Sequence, residues 1–212
     1  MKKMIFTVIA MSIMLALSGC GGGHDSSFTP TFEARILSDP VYDGDIKFVS
    51  PNTYTVTQGS TPSVFAGIDP DTRAEYRAFL DFSLKGEVPG IAFIDSATLD
   101  IYIDSISLSG STIPIRIELV SFTPPTLLAS DYERTIQIPL KTITATIYPG
   151  DAGHHVLLDV TPLMDEAQRL RLDDFQIRIM EDLGTVPPPP GRIEINESTI
   201  DKAPLLDVIY YY

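Results

Sequence analysis

The 212-residue sequence predicts an all-β fold: a single jelly-roll-like antiparallel β-sandwich with one short helix near residues 161–170. Three observations carry this. From about Phe32 onward apolar and polar residues alternate with a period of two, the mark of half-buried strands. Turn signals punctuate the alternating runs: YDGD, SPN, QGS, DPDT, VPG, LSGS, PGDAG and VPPPPG. Only one segment carries helix signals, so strand and helix do not alternate as a parallel α/β fold requires.

Each run has its own reading. In YRAFLDFSL, Tyr76, Ala78, Leu80, Phe82 and Leu84 share one face, and Arg77, Phe79, Asp81 and Ser83 the other. TLDIYID puts Leu99, Ile101 and Ile103 inward, with Thr98, Asp100, Tyr102 and Asp104 opposite. STIPIRIEL turns Ile113, Ile115, Ile117 and Leu119 inward and Pro114, Arg116 and Glu118 outward. Because Pro114 has no N–H to give a neighbour, that strand is expected at a sheet edge or a bulge. TITATIY (Ile143, Ala145, Ile147), FQIRIM (Phe175, Ile177, Ile179) and RIEIN (Ile193, Ile195) repeat the alternation, and LLDVIYYY closes the chain as a strand of either phase. In DVTPLMDEAQRLR, Thr161 suits an N-cap and Pro162 the first turn. Asp165 and Glu166 lie toward the positive end of the helix dipole, Arg169 and Arg171 toward the other. The proline run at 186–191 reads as an extended connection.

Composition narrows the partners. With 28 acidic and 15 basic side chains the formal charge is −13, which repels phosphate backbones and anionic lipid surfaces, so nucleic acid is not expected as a partner. A hydrophobic fraction of 44% is enough for a packed core. The single cysteine, Cys20, cannot form an internal disulfide.

Cys20 acquires meaning from its position. Met1–Lys3 carry two lysines, and residues 4–17 are apolar apart from Thr7 and Ser12, a charged start followed by a run too short to span a bilayer, which needs about 20 residues. Residues 1–19 read as a signal peptide. LSGC, at 17–20, resembles the lipobox of bacterial lipoproteins; the alternative is a plain secretory signal with an incidental cysteine. The lipobox resemblance implies cleavage before Cys20, a diacylglyceryl thioether on its sulfur and, usually, an acyl group on its new amine. At roughly 0.8 kcal/mol per buried methylene, two or three chains hold a protein firmly on a membrane. Residue 21 is glycine, not aspartate, and likeness to enterobacterial lipoproteins then implies the outer membrane over the inner, facing the periplasm or the outside. Residues 20–35 are expected to be a flexible tether and 36–212 one domain. His24 beside Asp25 reads as solvated tether, since two neighbouring ligands make a poor metal site.

Three later blocks point to a family. EYRAFLDFSLKGEVPGIAFIDSATLDIYI (75–103), VLLDVTPLMDEA (156–167) and IEINESTIDKAPLLDVIY (193–210) resemble successive blocks of the DNRLRE domain family, which is similar to carbohydrate-binding module family 96. The resemblance covers roughly residues 42–211. It implies a jelly-roll sandwich and binding of polysaccharide, alginate in some members. It also implies a structural role for Glu197 and Ser198. The name-giving string is absent, DTRAEYR standing in its place, and so is the tryptophan common in such domains, which removes a usual stacking platform for sugars.

No residues are assigned to catalysis, and no enzyme activity or cofactor is expected. There is no G-x-S-x-G turn, phosphate loop or cysteine pair. His154 and His155 are neighbours, so in a strand they face opposite sides and cannot share one site. Asp39, Asp43 and Asp45, with Asp69 and Asp71, supply hard oxygen atoms in loops that calcium would accept. They do not match an EF-hand, and solvated turn aspartates are the default reading, so no metal residue is assigned. The sequence therefore reads as a membrane-anchored envelope lipoprotein whose sandwich binds polysaccharide, with a structural or protein-interaction role in an envelope assembly as the alternative. The ligand-binding residues remain unassigned.

Overall fold

The computed structural model describes residues 30–121 and 126–212. The expected signal peptide, Cys20, the His24–Asp25 pair and the expected tether up to residue 29 lie outside them.

The strands are β1 (Thr31–Leu37), β2 (Gly44–Val49), β3 (Thr53–Gln58), β4 (Ser63–Ile68), β5 (Glu75–Ser83), β6 (Phe93–Leu108), β7 (Ile113–Val120), β8 (Lys141–Ile147), β9 (His154–Asp159), β10 (Asp174–Glu181), β11 (Gly191–Asn196) and β12 (Leu205–Tyr211). The helix α1 (Thr161–Leu170) lies between β9 and β10. Among the described residues the strands pair antiparallel throughout, and together they make one sheet curled on itself.

The long β6 organises the first half. Along one edge it pairs with β12 through Phe93–Asp100 and then with β11 through Ile103–Leu108, while its other edge takes β9 at Thr98–Ile103. β1 adds outside β12, and β4 outside β11. The second half runs β3-β2-β5-β10-β7-β8. The halves join where Gly67 and Ile68 of β4 pair with Tyr76 and Glu75 of β5. Gly67 sits at this corner with φ +106°, and a Cβ on it would come within 2.1 Å of the Gly191 carbonyl oxygen, so two strand backbones meet where only glycine fits.

The alternation in the sequence explains the interior. Leu99, Ile101, Ile103, Ile115, Ile117, Ile177, Ile179, Ile193 and Ile195 are all fully buried in one cluster shared by both halves. Burial of each such side chain contributes about 1.5–3 kcal/mol. β12 resolves its phase with Leu206, Val208 and Tyr210 inward. The helix buries Leu163, Met164 and Ala167 against the same cluster.

Four local expectations change. β1 begins at Thr31, because TFEARIL pairs along its whole length with β12, so the sandwich takes in the last five residues expected to be tether. β7 is interior, not an edge, paired with β10 on one side and β8 on the other. Its proline is tolerated because it is the second residue of the strand, where the Pro114 carbonyl accepts from Asp182 N just beyond the end of β10. Thr161 does not cap its own helix. Its hydroxyl accepts from Ala97 N of β6 (2.9 Å), while Thr161 N donates to Asp159 Oδ1 (3.0 Å). The fourth change concerns outward residues of β5, β7 and β10: Phe79, Asp81, Glu118, Gln176 and Arg178 are buried and not solvated.

Candidate functional site

The two outer faces of the sandwich differ. Over β5, β7 and β10 residues 126–140 of the β7–β8 connection lie across the sheet. Arg178 and Glu118, expected as outward residues, are fully buried beneath it. Arg178 Nε and Nη2 donate to Glu118 Oε2 at 3.0 and 2.5 Å, Nη1 donates to the Asp131 carbonyl at 2.7 Å, and Nη2 also to that of Gln137 at 3.1 Å. Arg134 reaches the other Glu118 oxygen at 2.7 Å. Burial lowers the Arg178 pKa while Glu118 works against that shift. Beside this pair, Ile46, Phe79, Leu127 and Tyr132 form a second core, flanked by Phe48 and Tyr54. The Arg77 guanidinium lies 3.7 Å from the Tyr132 ring centroid and donates to the Tyr132 carbonyl. This face is a structural seal.

The outer face of β1, β12, β6 and β9 carries no such cover among the described residues, and there the register brings chemistry together. β6 pairs Asp100 with Leu205 of β12 and Tyr102 with His155 of β9, and β12 pairs Asp207 with Arg35 of β1. Arg35, Leu37, Asp100, His155 and Leu205 line a cleft of about 400 Å³, walled by Ile200, Asp201 and Ala203 of the β11–β12 connection. A second cleft of about 490 Å³ shares Arg35 and Leu37 with it and continues toward Lys85 and Glu87, so the depression is elongated.

Its polar groups face one another. His155 Nδ1 lies 2.8 Å from Asp100 Oδ1, and the Asp100 carboxylate orients the ring; with the proton on Nδ1, Nε2 is left as an acceptor. The His155 ring meets the Tyr102 ring edge-on at 5.1 Å, and Lys202 Nζ stands 4.1 Å from the Tyr102 centroid. Arg35 is tied only loosely, at 4.0 Å, to Asp207. Cationic donors, carboxylate acceptors and an imidazole suit a ligand rich in hydroxyl or carboxylate groups. No serine, threonine or cysteine is among the residues lining this cleft.

The same half ends in aromatics. Phe93 stacks on Tyr211 (5.6 Å between centroids), and Phe32 packs with Tyr210 (5.7 Å) and Tyr212 (5.4 Å). Phe32, Phe93 and Tyr212 are exposed. At about 3.3 Å per residue, Leu205 at the cleft and Tyr211 in the aromatic group stand roughly 20 Å apart along β12.

His154 and His155 do face opposite sides: His154 Nδ1 lies 3.0 Å from the Ala152 carbonyl, whereas His155 enters the cleft. Asp39 and Asp69 act as turn aspartates: Asp39 Oδ1 accepts from Val41 N (2.9 Å), and Asp69 Oδ1 from Asp71 N (3.2 Å) and Thr72 N (2.8 Å). Asp69 Oδ2 also pairs with Arg192 at 2.7 Å. Asp45 is buried and accepts from Phe65 N at 3.2 Å, and its desolvation pushes its pKa up to about 6. Asp43 is buried as well, close to Ser38 and Glu197. Among the described residues no three His, Cys, Asp or Glu side chains form a group that could hold a metal ion. No helix among them is long and apolar enough to cross a membrane. Arg35, Asp100 and the neighbouring Asp201 and Lys202 were not legible as a set in the sequence, because they lie on three separate segments that the pairing of β12 with β1 and β6 joins.

No family model and no curated protein matches the chain. The likeness to DNRLRE domains therefore rests on the three blocks themselves. They fold as β5–β6, β9–α1 and β11–β12, so the second and third flank the β6 strand that closes the first.

Proposed function

We propose that the protein is a membrane-anchored envelope lipoprotein whose sandwich is a non-catalytic binding module for polysaccharide. The observation that carries the binding reading is the elongated polar depression, with Arg35 at its middle and His155 and Asp100 at one end, and with Lys202 standing nearby over the Tyr102 ring that packs on His155. An extended chain bearing hydroxyls or carboxylates matches this shape and donor set better than a compact apolar ligand does. The exposed aromatic group at the far end of the same half offers rings for stacking against sugar faces, which compensates for the missing tryptophan.

Anchoring is supported by the charged start, the apolar run and LSGC. Cys20→Ser is expected to abolish metabolic labelling with radioactive palmitate and to release the chain from the membrane fraction; a labelled, membrane-bound Cys20→Ser protein would refute the anchor. For the binding module, the full chain in detergent is run through native gels containing alginate or other polysaccharides. Retardation that Arg35→Ala reduces is expected.

A second reading, a protein-docking lipoprotein of an envelope assembly, draws on the exposed Leu128, Ile136 and Ile138 of the connection that seals the opposite face. It predicts a reproducible membrane partner that Ile136→Ser with Ile138→Ser removes, with polysaccharide retardation unaffected.

A further inference from the structure

Three buried side chains from distant segments meet beside the cleft and leave an unbalanced charge. Ser38 follows β1, Asp43 lies in the β1–β2 connection, and Glu197 follows β11. All three are buried, with 5%, 1% and 8% of their surface exposed. The Ser38 hydroxyl and the two carboxyls lie within interaction range of one another. Asp43 Oδ1 accepts from Asp81 N at 2.7 Å. Ser38 Oγ, Asp43 Oδ2 and both oxygens of Glu197 make no hydrogen bond of good geometry, and the close contacts these side chains have are with one another. No ion pair among the described residues involves Asp43 or Glu197, and the remaining acid nearby, Asp81, already accepts from Gln176 Nε2 at 2.7 Å.

Two buried carboxylates without a counter-charge are costly, and four buried oxygens without a hydrogen bond of good geometry add to it. Burial raises both pKa values, and the Asp43 charge raises that of Glu197 further. A shared proton would pair one oxygen of each carboxyl and leave the second Glu197 oxygen and Ser38 Oγ as they are. A hard divalent cation would neutralise both charges and take all four oxygens at once, with the charge count of two carboxylates matching its own.

We infer that Ser38, Asp43 and Glu197 form a calcium-type cation site that ties the end of β1 to the segment after β11. The consequence reaches the cleft, because Leu37, next to Ser38, and Ile200, Asp201 and Ala203, which follow Glu197, all line it. Cation binding and polysaccharide binding are separate claims: the site fills or fails whatever the cleft recognises. Of the loop aspartates that the sequence offered to calcium, only Asp43 takes part, and its partners lie 5 residues before it and 154 after.

The full chain in detergent, stripped with chelator, is titrated with calcium chloride by calorimetry and with terbium by sensitised luminescence from its tyrosines, and its melting midpoint is compared in calcium and in chelator. One ion per chain is expected, with a midpoint several degrees higher in calcium. Glu197→Gln is expected to lose the tight site, and Ser38→Ala, which leaves both carboxylates in place, to weaken it several-fold with the fold intact by circular dichroism. Absence of stoichiometric binding, with the same midpoint in calcium and chelator, would overturn the site in favour of a carboxyl pair sharing a proton. Binding unchanged in Ser38→Ala would overturn it as well, by placing the ion elsewhere among the surface acids.

Discussion

The two halves of the sandwich share one interior and differ on their outer faces. Outward positions of β5, β7 and β10 are occupied by Phe79, Glu118 and Arg178 and are sealed by the β7–β8 connection. Outward positions of β6, β9 and β1 are occupied by Asp100, Tyr102, His155, Leu157 and Arg35, of which Asp100, His155 and Arg35 line an open depression. One half spends its polar side chains on each other and on carbonyl groups of the connection. The other leaves them for a ligand. A charged residue at an outward strand position therefore has opposite meanings in the two halves, and the difference is measurable.

The largest contrast lies in charge removal. Arg178→Met strips the buried Glu118 of its main partner and is expected to cost about 3–5 kcal/mol in urea unfolding, while Arg35→Met on the open face changes stability by less than about 0.5 kcal/mol. Equal costs would erase the distinction between the faces. An apolar pair makes the same contrast: Phe79→Ala should lose about 3–5 kcal/mol, and Leu157→Ala, 68% exposed, no more than about 0.5.

Acidity separates one carboxyl of each half, Glu181 and Asp159, by sign. Glu181 at the end of β10 is buried and its pKa is pushed from 4.5 up to about 7 by desolvation. A raised folded pKa means that the stability is fully present below pH 4.5 and is lost as pH rises through 7, on the order of 3 kcal/mol by the size of the shift. Asp159, on the open half, has its pKa lowered by hydrogen bonds from Thr161, so its contribution is present above the ordinary aspartate range and is lost as pH falls below it. Unfolding midpoints measured from about pH 4 to 8 should fall less steeply with rising pH in Glu181→Gln than in the parent, and an unchanged slope would mean that Glu181 does not titrate there. A smaller loss than that from Arg178→Met or Phe79→Ala is expected of Thr161→Val, which takes the hydroxyl from Ala97 N and should cost about 1 kcal/mol in the same assay.

The interior was legible in the sequence because Leu99, Ile101 and Ile103, and the isoleucines of β7 and β10, announce their face by alternation alone. The seal was not. Glu118 and Arg178 are polar residues at alternate positions, and that pattern is the same whether the partner is water or a buried counter-charge. The cleft was not legible either. Arg35, Asp100 and His155 come from three strands, and their meeting depends on the pairing of β6 with β9 and β12, which no local spacing encodes. Pro114 misled for a related reason: a missing donor matters only at a bonded position, and this one falls where the neighbouring strand ends.

Polysaccharide titration tests the open-face reading most directly. The full chain in detergent, and its Arg35→Ala and Lys202→Ala variants, are compared by retardation in polysaccharide-containing gels, with circular dichroism as the control for folding. Retardation of the parent that falls at least several-fold in both variants, with their unfolding midpoints unchanged, is the predicted result. A parent chain that no polysaccharide retards, alginate included, would contradict it.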